Sequence, residues 1–368
     1  MKHNWEYKRL GDVCKIVNGF AFKSELFKDS GMPILRIANI QNDTITTDAL
    51  VFCNPSDYKT DLSKFLVKSD DLVMALSGAT TGKIGINKTN IEFYLNQRVA
   101  LFKDILISRR YLFYFLKTEG KNILESAFGV AQPNVSTSKL TELYIPVPPL
   151  NVQEQIVAEL DKINETIEDC RELLCNLDAL AQSLFYDFFG DPVTNPKGWE
   201  TSRFGELCKL SAGGDKPFDT QKEISKDFNI PIYSNGIENE GLYGYTSKPR
   251  ITSPAITISG RGTLGIPFIR LKPFVPIIRL IVAIPSPVVN LTFLFYMIKL
   301  LKIGGKGAAI PQLTVPMVKD LLLPVPPLEL QEKFAARIEQ IEEQKKSVEQ
   351  TIAELQTLLD SRMDYWFN

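Results

Sequence analysis

The chain has 368 residues, of which 44% are hydrophobic, and this length suggests about two to three domains with ordinary cores. No apolar run reaches the ~18–20 residues that a membrane span needs, and the five cysteines contain no CxxC pair, which is typical of reduced thiols in a cytoplasm. The single histidine, His3, nearly excludes histidine-based acid–base catalysis and histidine-rich metal sites.

Two globular segments show the pattern of mixed α/β domains. Short apolar or β-branched runs bounded by Gly, Pro or Asp predict strands, and longer apolar runs predict buried helices. Along the chain, strands are predicted at 34–37 and 72–76, a helix at 110–121, a strand at 255–258 and a helix at 291–302.

The chain consists of two copies of one plan. The hinge LYIPVPPL at 143–150 recurs as LLLPVPPL at 321–328, and the opening WEYKRLGDVCKI at 5–16 recurs as WETSRFGELCKL at 199–210. A helical segment follows each hinge, and a turn-rich linker, DPVTNPKG, joins the copies. We therefore predict globular segments at 1–145 and 191–325, and helical spacer segments at 146–190 and 326–368.

Each helical segment carries an unbroken seam whose positions are separated alternately by four and three residues. This is the a/d spacing of a coiled coil, and two such seams in one chain are expected to bury each other. Lys345 and Arg362 interrupt the second seam, either as register devices or, for Arg362, as a side chain that snorkels at a helix end. The seam positions are Ile156, Leu160, Ile163, Ile167, Cys170, Leu174, Leu177, Ala181, Leu184 and Phe188, then Phe334, Ile338, Ile341, Lys345, Val348, Ile352, Leu355, Leu359, Arg362 and Trp366.

Charge is segregated along the chain, although the net charge is only −1. The two globular segments hold 35 Lys and Arg against 25 Asp and Glu, a net charge of +10. The two helical segments hold 7 against 18, a net charge of −11. This distribution is expected if only the globular segments meet phosphate groups.

Two glycine-rich loops match nucleotide-binding motifs only in part. GRGTLG at 260–265 satisfies G-x-G-x-x-G, but prolines follow where a helix is needed, and no acidic residue occurs before Asp320. GATTGK at 78–83 lacks the spacing of a P-loop and its final Ser or Thr. Each loop carries hydroxyls and one cation, Lys83 or Arg261. It is therefore either a surface that approaches phosphates and base edges or a glycine-rich strand connection with a solvated cation.

No catalytic constellation can be assembled from the sequence. It contains no Ser/His/Asp or Cys/His set, no nuclease-like carboxylate pair with a nearby lysine, and no Asn-Pro-Pro-aromatic motif of the kind found in amino-methyltransferases. We therefore expect a binding protein. The alternatives are a methyltransferase or nuclease with an unrecognised active site, and a coiled-coil scaffold, which leaves the charge segregation unexplained.

Several segments resemble the specificity subunits of type I restriction–modification systems. They are WEYKRLGDVCKIVNGFAF, PILRIANI, QPNVSTSKL, IPVPPLNVQEQIVAEL, FFGDPVTNPKGW and LPVPPLELQEKFAARI. The resemblance covers essentially the whole chain. It implies an α+β fold in which two mixed α/β target-recognition domains, in tandem repeat, are separated by two long helices forming an antiparallel coiled coil. It also implies a cytoplasmic subunit, non-catalytic by itself, that binds a bipartite site on double-stranded DNA.

The resemblance further implies partner subunits. Two methyltransferase subunits would bind S-adenosylmethionine and methylate adenine, and motor–nuclease restriction subunits would use ATP and Mg²⁺. These cofactors would belong to the partners, so no catalytic residue, metal or cofactor is expected in this chain, and no membrane contact.

On this interpretation, polar side chains of the globular segments contact DNA, and aromatic residues at the helix ends either contact the methyltransferase subunits or close the coiled-coil core. Asn and Gln can pair with adenine, Arg with guanine, and lysines mostly hold phosphates. The candidate DNA contacts are Asn39, Gln41, Ser77, Thr80, Thr81, Lys83, Gln97, Arg98, Asn235, Asn239, Tyr243, Ser259, Arg261, Thr263 and Arg279. The candidate partner contacts are Phe188, Phe189, Trp366 and Phe367.

Overall fold

The computed structural model describes residues 5–126, 135–301, 303 and 312–368. The chain divides into two compact units. Unit 1 comprises Met1–Asp169 and Thr351–Asn368, and unit 2 comprises Cys170–Gln350. Each unit therefore contains one globular segment together with part of both helical segments.

The described part of unit 1 follows the predicted mixed order of strands and helices. Its elements are β1 (Glu6–Arg9), α1 (Leu10–Val13), β2 (Lys15–Asn18), β3 (Met32–Leu35), β4 (Ile40–Gln41), β5 (Thr44–Ile45), β6 (Val51–Cys53), β7 (Leu66–Val67), β8 (Leu72–Ala75), β9 (Ile84–Ile86), β10 (Phe93–Leu95), β11 (Val99–Lys103), α2 (Arg109–Ser126), α3 (Thr137–Thr141), β12 (Tyr144–Val147) and the first half of α4 (Leu150–Phe189).

Unit 2 repeats this order with fewer strands. Its described elements are β13 (Thr201–Arg203), α5 (Phe204–Leu207), β14 (Cys208–Ala212), β15 (Ile230–Tyr233), β16 (Leu242–Thr246), β17 (Ala255–Ile258), β18 (Pro267–Arg270), β19 (Val275–Pro276), β20 (Ile281–Pro285), α6 (Leu291–Leu301), α7 (Val315–Lys319), β21 (Leu322–Pro324) and the part of α8 (Leu328–Phe367) that extends to Gln350.

The sheets show the same duplication. In unit 1 the strand orders are β2-β11-β8-β9-β5-β4, β6-β3-β10-β7 and β1-β12, and in unit 2 they are β14-β20-β17-β18, β16-β15-β19 and β13-β21. The antiparallel core β2-β11-β8-β9 thus recurs as β14-β20-β17-β18. The tandem repeat of mixed α/β domains that the hinge motifs predict is confirmed.

Strands β8 and β17 lie inside these cores. All four residues of each strand are buried, which explains why their sequences are continuous apolar runs without polar alternation. The predicted buried helices are present as α2 and α6. Residues 111–116 of α2 are at most 1% exposed, so α2 is buried on several sides at once.

The long helices pair with each other, as the seams predict, and they run antiparallel, as the family resemblance implies. In unit 1, Ile156 and Leu160 of α4 share a buried cluster with Leu359 and Met363 of α8. In unit 2, Ala181 of α4 belongs to the same cluster as the early part of α8. The beginning of α4 therefore packs with the end of α8, and the end of α4 with the beginning of α8.

Acidic side chains on α4 hold both cations that interrupt the second seam. Lys345 Nζ lies 2.9 Å from Asp178 Oδ1 in unit 2. In unit 1, Arg362 donates to both carboxylate oxygens of Glu159, with Nη2 3.0 Å from Oε2, and Trp366 Nε1 donates to Oε2 at 3.1 Å. These cross-helix pairs favour a role in helix register, including for Arg362, whose side chain is 30% exposed.

The compact units do not follow the four predicted segments. Both long helices begin inside the predicted spacer segments, which open with hinge residues, at Leu150 and Leu328, and the division into compact units cuts each helix internally. The spacer segments 146–190 and 326–368 are each shared between the units. That these spacer segments are separate from the globular domains stays a prediction.

Candidate nucleic-acid interface

Both glycine-rich loops connect antiparallel strands. Residues 76–83 join β8 to β9, and residues 259–266 join β17 to β18. The loops are therefore equivalent turns of the two repeated sheets. A strand follows each loop directly, whereas a dinucleotide-binding loop opens a helix.

One glycine in each loop is required by close packing. A Cβ on Gly82 would lie 2.3 Å from the carbonyl oxygen of Gly120, and a Cβ on Gly265 would lie 1.8 Å from that of Ile303. Both glycines also have positive φ, +86° and +76°. At these two positions the structure favours the strand-connection interpretation.

The middle of the unit 2 loop is open. No atom lies within 4 Å of the Cβ position of Gly262, and its neighbours Arg261 and Thr263 are exposed. Ser259 at the base of the loop is 2% exposed, and its Oγ donates to Thr263 O and accepts from the backbone N–H of Ile266 at 2.9 Å. A direct base contact by Ser259 is therefore not expected. We propose that it shapes the loop which presents Arg261 and Thr263.

Asn235 ties neighbouring loops of unit 2 together. Its Oδ1 accepts from the backbone N–H of Gly260 at 2.7 Å, and its Nδ2 donates to Ile278 O at 2.7 Å. Ile278 and Arg279 have positive φ, 54° and 60°, so the bond to Ile278 supports a strained turn. Arg279 itself is exposed. We call residues 234–241, 259–266 and 277–280 the unit 2 loop cluster.

Arg270 supports residues 234–241, the first segment of the unit 2 loop cluster. Asn239 and Glu240 have φ of 46° and 53°, a left-handed conformation that costs about 1–2 kcal/mol per non-glycine residue. Arg270, whose side chain is 3% exposed, donates to Glu240 through its carboxylate at 2.7 Å and its carbonyl at 2.5 Å, and to Thr257 Oγ1 at 3.1 Å. Its guanidinium carbon lies 3.5 Å from the ring centroid of Tyr233. These contacts stabilise the backbone that carries exposed Asn239.

The environment of Arg270 shows opposing electrostatic effects. Burial lowers the pKa of Arg270, while Tyr233 and Glu240 raise it. An arginine remains protonated throughout the physiological pH range even when its pKa is lowered, so Arg270 keeps its positive charge. Sequence reasoning missed Arg270, because nothing in the local pattern of β18 distinguishes it from a surface arginine.

Tyr243 lies outside the loop cluster, on β16. Its ring receives two cations, with Lys222 Nζ 4.7 Å and Lys216 Nζ 5.7 Å from the ring centroid. These lysines were not among the predicted residues. Their proximity to an aromatic side chain that the sequence did single out makes this patch a further candidate phosphate contact.

Unit 1 has a corresponding loop cluster. The backbone N–H of Leu76 donates to Arg98 O at 2.8 Å, and the Cβ position of Gly78 lies 3.5 Å from Ile37 Cδ1. In unit 1 the loop after β3, the loop after β8 and the turn before β11 therefore meet. In unit 2 the corresponding loops follow β15 and β17, and the corresponding turn precedes β20. We call residues 36–41, 76–83 and 96–98 the unit 1 loop cluster.

Two of the predicted residues in this cluster serve the loops themselves. Asn39 is 1% exposed, accepts from the backbone N–H of Arg36 at 3.2 Å and donates to Asp48 O at 3.0 Å. Thr81 is 1% exposed and its Oγ1 donates to Gly78 O at 2.7 Å. We do not expect either to reach a base without rearrangement, and we propose that both are positioning residues.

The remaining unit 1 candidates are available at the surface or hold unpaired groups. Lys83, Gln97 and Arg98 are exposed, and exposed Gln41 donates to Ala38 O at 2.9 Å. The two candidate hydroxyls differ, because Ser77 Oγ and Thr80 Oγ1 are buried without a hydrogen-bond partner among the described residues. A buried unpaired hydroxyl is costly, but these two atoms would also need a rearrangement of the loop before DNA could reach them.

The aromatic residues at the helix ends pack inside the units. Phe189 lies 4.7 Å from Phe293 and 5.2 Å from Phe334 between ring centroids, and Phe367 lies 5.2 Å from Tyr111. Phe189 and Phe367 are 3% and 5% exposed, whereas Phe188 and Trp366 are half-buried. This packing supports the alternative in which these aromatics close the core. Of these four residues, the half-buried Phe188 and Trp366 keep accessible surface that a partner could contact.

Replacing Phe189 with alanine should therefore act on stability. We expect Phe189→Ala to lower the free energy of unfolding by about 3–5 kcal/mol, because it leaves a cavity in a packed aromatic cluster. Tyr186→Ala, on the exposed face of the same helix, should cost less than about 1 kcal/mol. Urea unfolding followed by circular dichroism measures both. Equal small losses would contradict the core assignment.

Comparison with known proteins identifies the repeated plan. The family model described as "Type I restriction modification DNA specificity domain" matches residues 2–173 and 196–357. The Mycoplasma pneumoniae protein named as type I specificity subunit S.MpnORF507P is 27% identical over 348 residues, covering 90% of this chain and 87% of the relative. A second from that organism, S.MpnORF89P, is 31% identical over 274 residues, covering 71% and 81%.

Solved structures share the fold. The S subunit of a type I restriction–modification system from M. genitalium aligns with a TM-score of 0.57 at 18% identity, covering 99% of this chain and 96% of that one. A chain from a study of complex assembly and conformational transition of the type I R-M system aligns with a TM-score of 0.62 at 20% identity, covering 98% and 96%.

Two further features bear on the site. Among the residues that the structure describes, no helix combines the length and apolar character needed to cross a membrane. Within the same residues, no group of three or more His, Cys, Asp or Glu side chains is arranged to hold a metal ion.

Proposed function

This chain belongs to the type I restriction–modification DNA specificity family, and from that premise we propose that it reads a bipartite DNA target, one half with each loop cluster. The family recognises the DNA target of the restriction–modification system. We add that two surfaces of this chain, the unit 1 and unit 2 loop clusters, recognise the target.

The observation that carries the proposal is the duplication of the loop cluster. In both units the loops that follow two equivalent strands meet the turn that precedes a third strand. Each cluster exposes cations, which are Lys83 and Arg98 in unit 1 and Arg261 and Arg279 in unit 2. A single contiguous site needs one such surface. Two equivalent surfaces on rigid sheets are suited to two half-sites, with arginine able to read guanine and amides able to read adenine.

We also propose that the chain is non-catalytic by itself and acts through partners. Two methyltransferase subunits would supply S-adenosylmethionine chemistry, and motor–nuclease subunits would supply ATP- and Mg²⁺-dependent cleavage. This division accounts for a sequence that contains no Ser/His/Asp or Cys/His set. Because its target is the host's DNA, we place the complex in the cytoplasm.

The rival functions make different predictions. An enzyme with an unrecognised active site would show turnover in the purified chain with S-adenosylmethionine, or with ATP and Mg²⁺. A coiled-coil scaffold would not bind DNA with sequence preference. The charge segregation and the two loop clusters favour DNA recognition over a scaffold.

The test is to map methylated adenines across a host genome with and without this chain, in the presence of its methyltransferase subunit. We expect methylation at a split motif that disappears when the chain is absent. A motif that persists without the chain would refute the proposal, and so would a contiguous one. Turnover by the isolated chain would refute the non-catalytic part.

A charge variant tests the assignment of the second surface. Arg261→Ala should weaken DNA binding and alter preference only in the unit 2 half-site, at about 1–3 kcal/mol for a base contact. If Arg261 instead holds a phosphate, the salt slope should fall by about one without a change in preference. Lys333→Ala, which removes an exposed cation on α8, is the control. Unchanged affinity and preference would remove Arg261 from the interface.

A further inference from the structure

The two units can be compared residue by residue where α2 and α6 pack on the long helices. In unit 1, Gln153 Oε1 accepts from the backbone N–H of Ser108 at 2.9 Å, and its Nε2 donates to Pro148 O at 2.8 Å. In unit 2, Gln331 repeats both bonds, with Asn290 at 2.8 Å and with Pro326 O at 2.8 Å. These matched contacts show that the packing of α2 on α4 in unit 1 is equivalent to the packing of α6 on α8 in unit 2.

In unit 1 an arginine fills the groove between these helices. Arg110 on α2 donates from Nε to Asp161 Oδ1 at 2.8 Å, and its Nη2 lies 2.7 Å from the same oxygen. Its guanidinium carbon lies 4.7 Å from the ring centroid of Phe113 and 5.2 Å from that of Tyr114. A planar cation that stacks on two rings and binds a carboxylate is the arrangement that arginine favours over lysine.

Unit 2 keeps the surroundings of this arginine but lacks the arginine. The two rings are repeated by Phe295 and Tyr296, and the carboxylate by Glu339. The position of Arg110 is occupied by Thr292, which is too short to reach α8. A cavity of about 750 Å³ lies there instead. It is lined by, among others, Thr292, Phe295, Tyr296, Glu332, Glu339 and Glu342.

The charges around the cavity favour a cationic occupant. Among the described residues, Glu332 and Glu339 form no ion pair, whereas Glu342 lies 3.2 Å from Lys345 Nζ. Burial raises the pKa of Tyr296, and the carboxylates of Glu342 and Asp178 raise it further, so its hydroxyl stays neutral. Lys299 also lines the cavity, with Nζ 5.9 Å from the Phe295 centroid and 5.7 Å from the Tyr296 centroid. Its counterpart Lys117 lies over Phe113 in unit 1, where Arg110 stacks on the same ring, so a lysine at this position leaves room for an arginine.

We propose that this cavity receives an arginine side chain from a partner protein. The guanidinium stacks on Phe295 and donates to Glu339, as Arg110 does with Phe113 and Asp161 within unit 1. Apolar wall residues Phe268, Ile269 and Leu271 pack against the segment that carries the arginine. The cavity is large enough to admit such a side chain. We expect arginine there and not lysine, because a lysine cannot both stack on a ring and bind the carboxylate in a fork.

The partner that we assign is the methyltransferase subunit, and this part of the inference rests on the proposed function. One unit of the chain provides its own arginine, and the other takes it from a second polypeptide. The two units would then differ in how they hold a methyltransferase subunit, since Arg110 occupies in unit 1 the position that Thr292 leaves open in unit 2.

The test measures the affinity of the full chain for the methyltransferase subunit encoded with it, by isothermal titration. Thr292→Arg supplies the arginine internally, as in unit 1, and should weaken binding at least about tenfold by occupying the cavity. Glu339→Gln removes the carboxylate and should weaken it about tenfold. Thr292→Val keeps the cavity open, and Glu329→Gln removes a carboxylate outside it, so both should bind within about twofold of the parent chain.

The outcomes separate the two proposals. Binding that is unchanged in both Thr292→Arg and Glu339→Gln would overturn the arginine cavity and leave the proposed function standing. If Thr292→Arg fails to fold, Glu339→Gln decides the question alone. A parent chain that binds DNA with sequence preference but forms no complex with the methyltransferase subunit would overturn both the assigned partner and the docking inference.

Discussion

Removing one heptad from each long helix, residues 168–174 of α4 and 348–354 of α8, should shorten the spacer of the DNA target by up to about three base pairs. Each deletion shortens its helix by ~10 Å at 1.5 Å per residue, and B-DNA rises ~3.4 Å per base pair. A seven-residue deletion keeps the a/d seam in phase. The bases preferred in each half-site should not change, because both loop clusters stay intact.

The structure determines which heptads can be removed. In unit 1 the pair Glu159–Arg362 joins the helices, and in unit 2 the pair Asp178–Lys345 does so. These pairs set the antiparallel register in each unit and place 168–174 opposite 348–354. A deletion nearer the start of α4 would remove Asp161, which binds Arg110 of the globular segment.

Methylation mapping with the shortened chain measures the result, after size-exclusion chromatography shows that the complex still assembles. Deleting 168–174 alone is the control, because it leaves the two helices unequal and should impair assembly. An unchanged spacer with both heptads removed would show that helix length does not set the separation. Altered half-site bases would show that the helices take part in reading.

Replacing Arg270 with methionine should abolish sequence preference in the unit 2 half-site while leaving the other half-site intact. Methionine retains much of the buried volume but none of the donors that hold Glu240 and Thr257. The loop that carries Asn239 then loses support for its left-handed residues. We expect the free energy of unfolding to fall by about 2–4 kcal/mol, since several hydrogen bonds from a buried charged group are lost.

Urea unfolding and methylation mapping together distinguish positioning from general stability. Phe189→Ala is a matched comparison, because it destabilises the same unit without touching the loop cluster. Arg203→Met, at a largely exposed arginine paired with Asp320, should change stability by less than about 1 kcal/mol. Arg270→Lys should retain part of the preference through one donor. If Arg270→Met keeps the base preference of the parent chain, Arg270 is only a packing residue.

Features of this protein that are periodic or repeated along the chain could be predicted without coordinates. The four–three spacing of the seams predicts two packed helices, and the recurring hinge predicts two similar domains, both of which the structure confirms. The same local evidence led to the loops of the candidate interface, since glycine, hydroxyl and cation occur together there. Spacing, repetition and local composition can all be read directly from the order of residues, which is why the sequence alone determined these features.

The role of individual side chains was decided by tertiary structure. Asn39 and Ser259 resemble base-reading residues in sequence, yet both are buried and hydrogen-bond to nearby backbone groups. Arg270 resembles a surface cation, yet it is buried beneath a strained turn. The cavity in unit 2 depends on Thr292 standing where unit 1 has Arg110, whose carboxylate partner is 51 residues away. Such pairings join residues distant in sequence, and burial and charge partners arise only once the fold has brought them together.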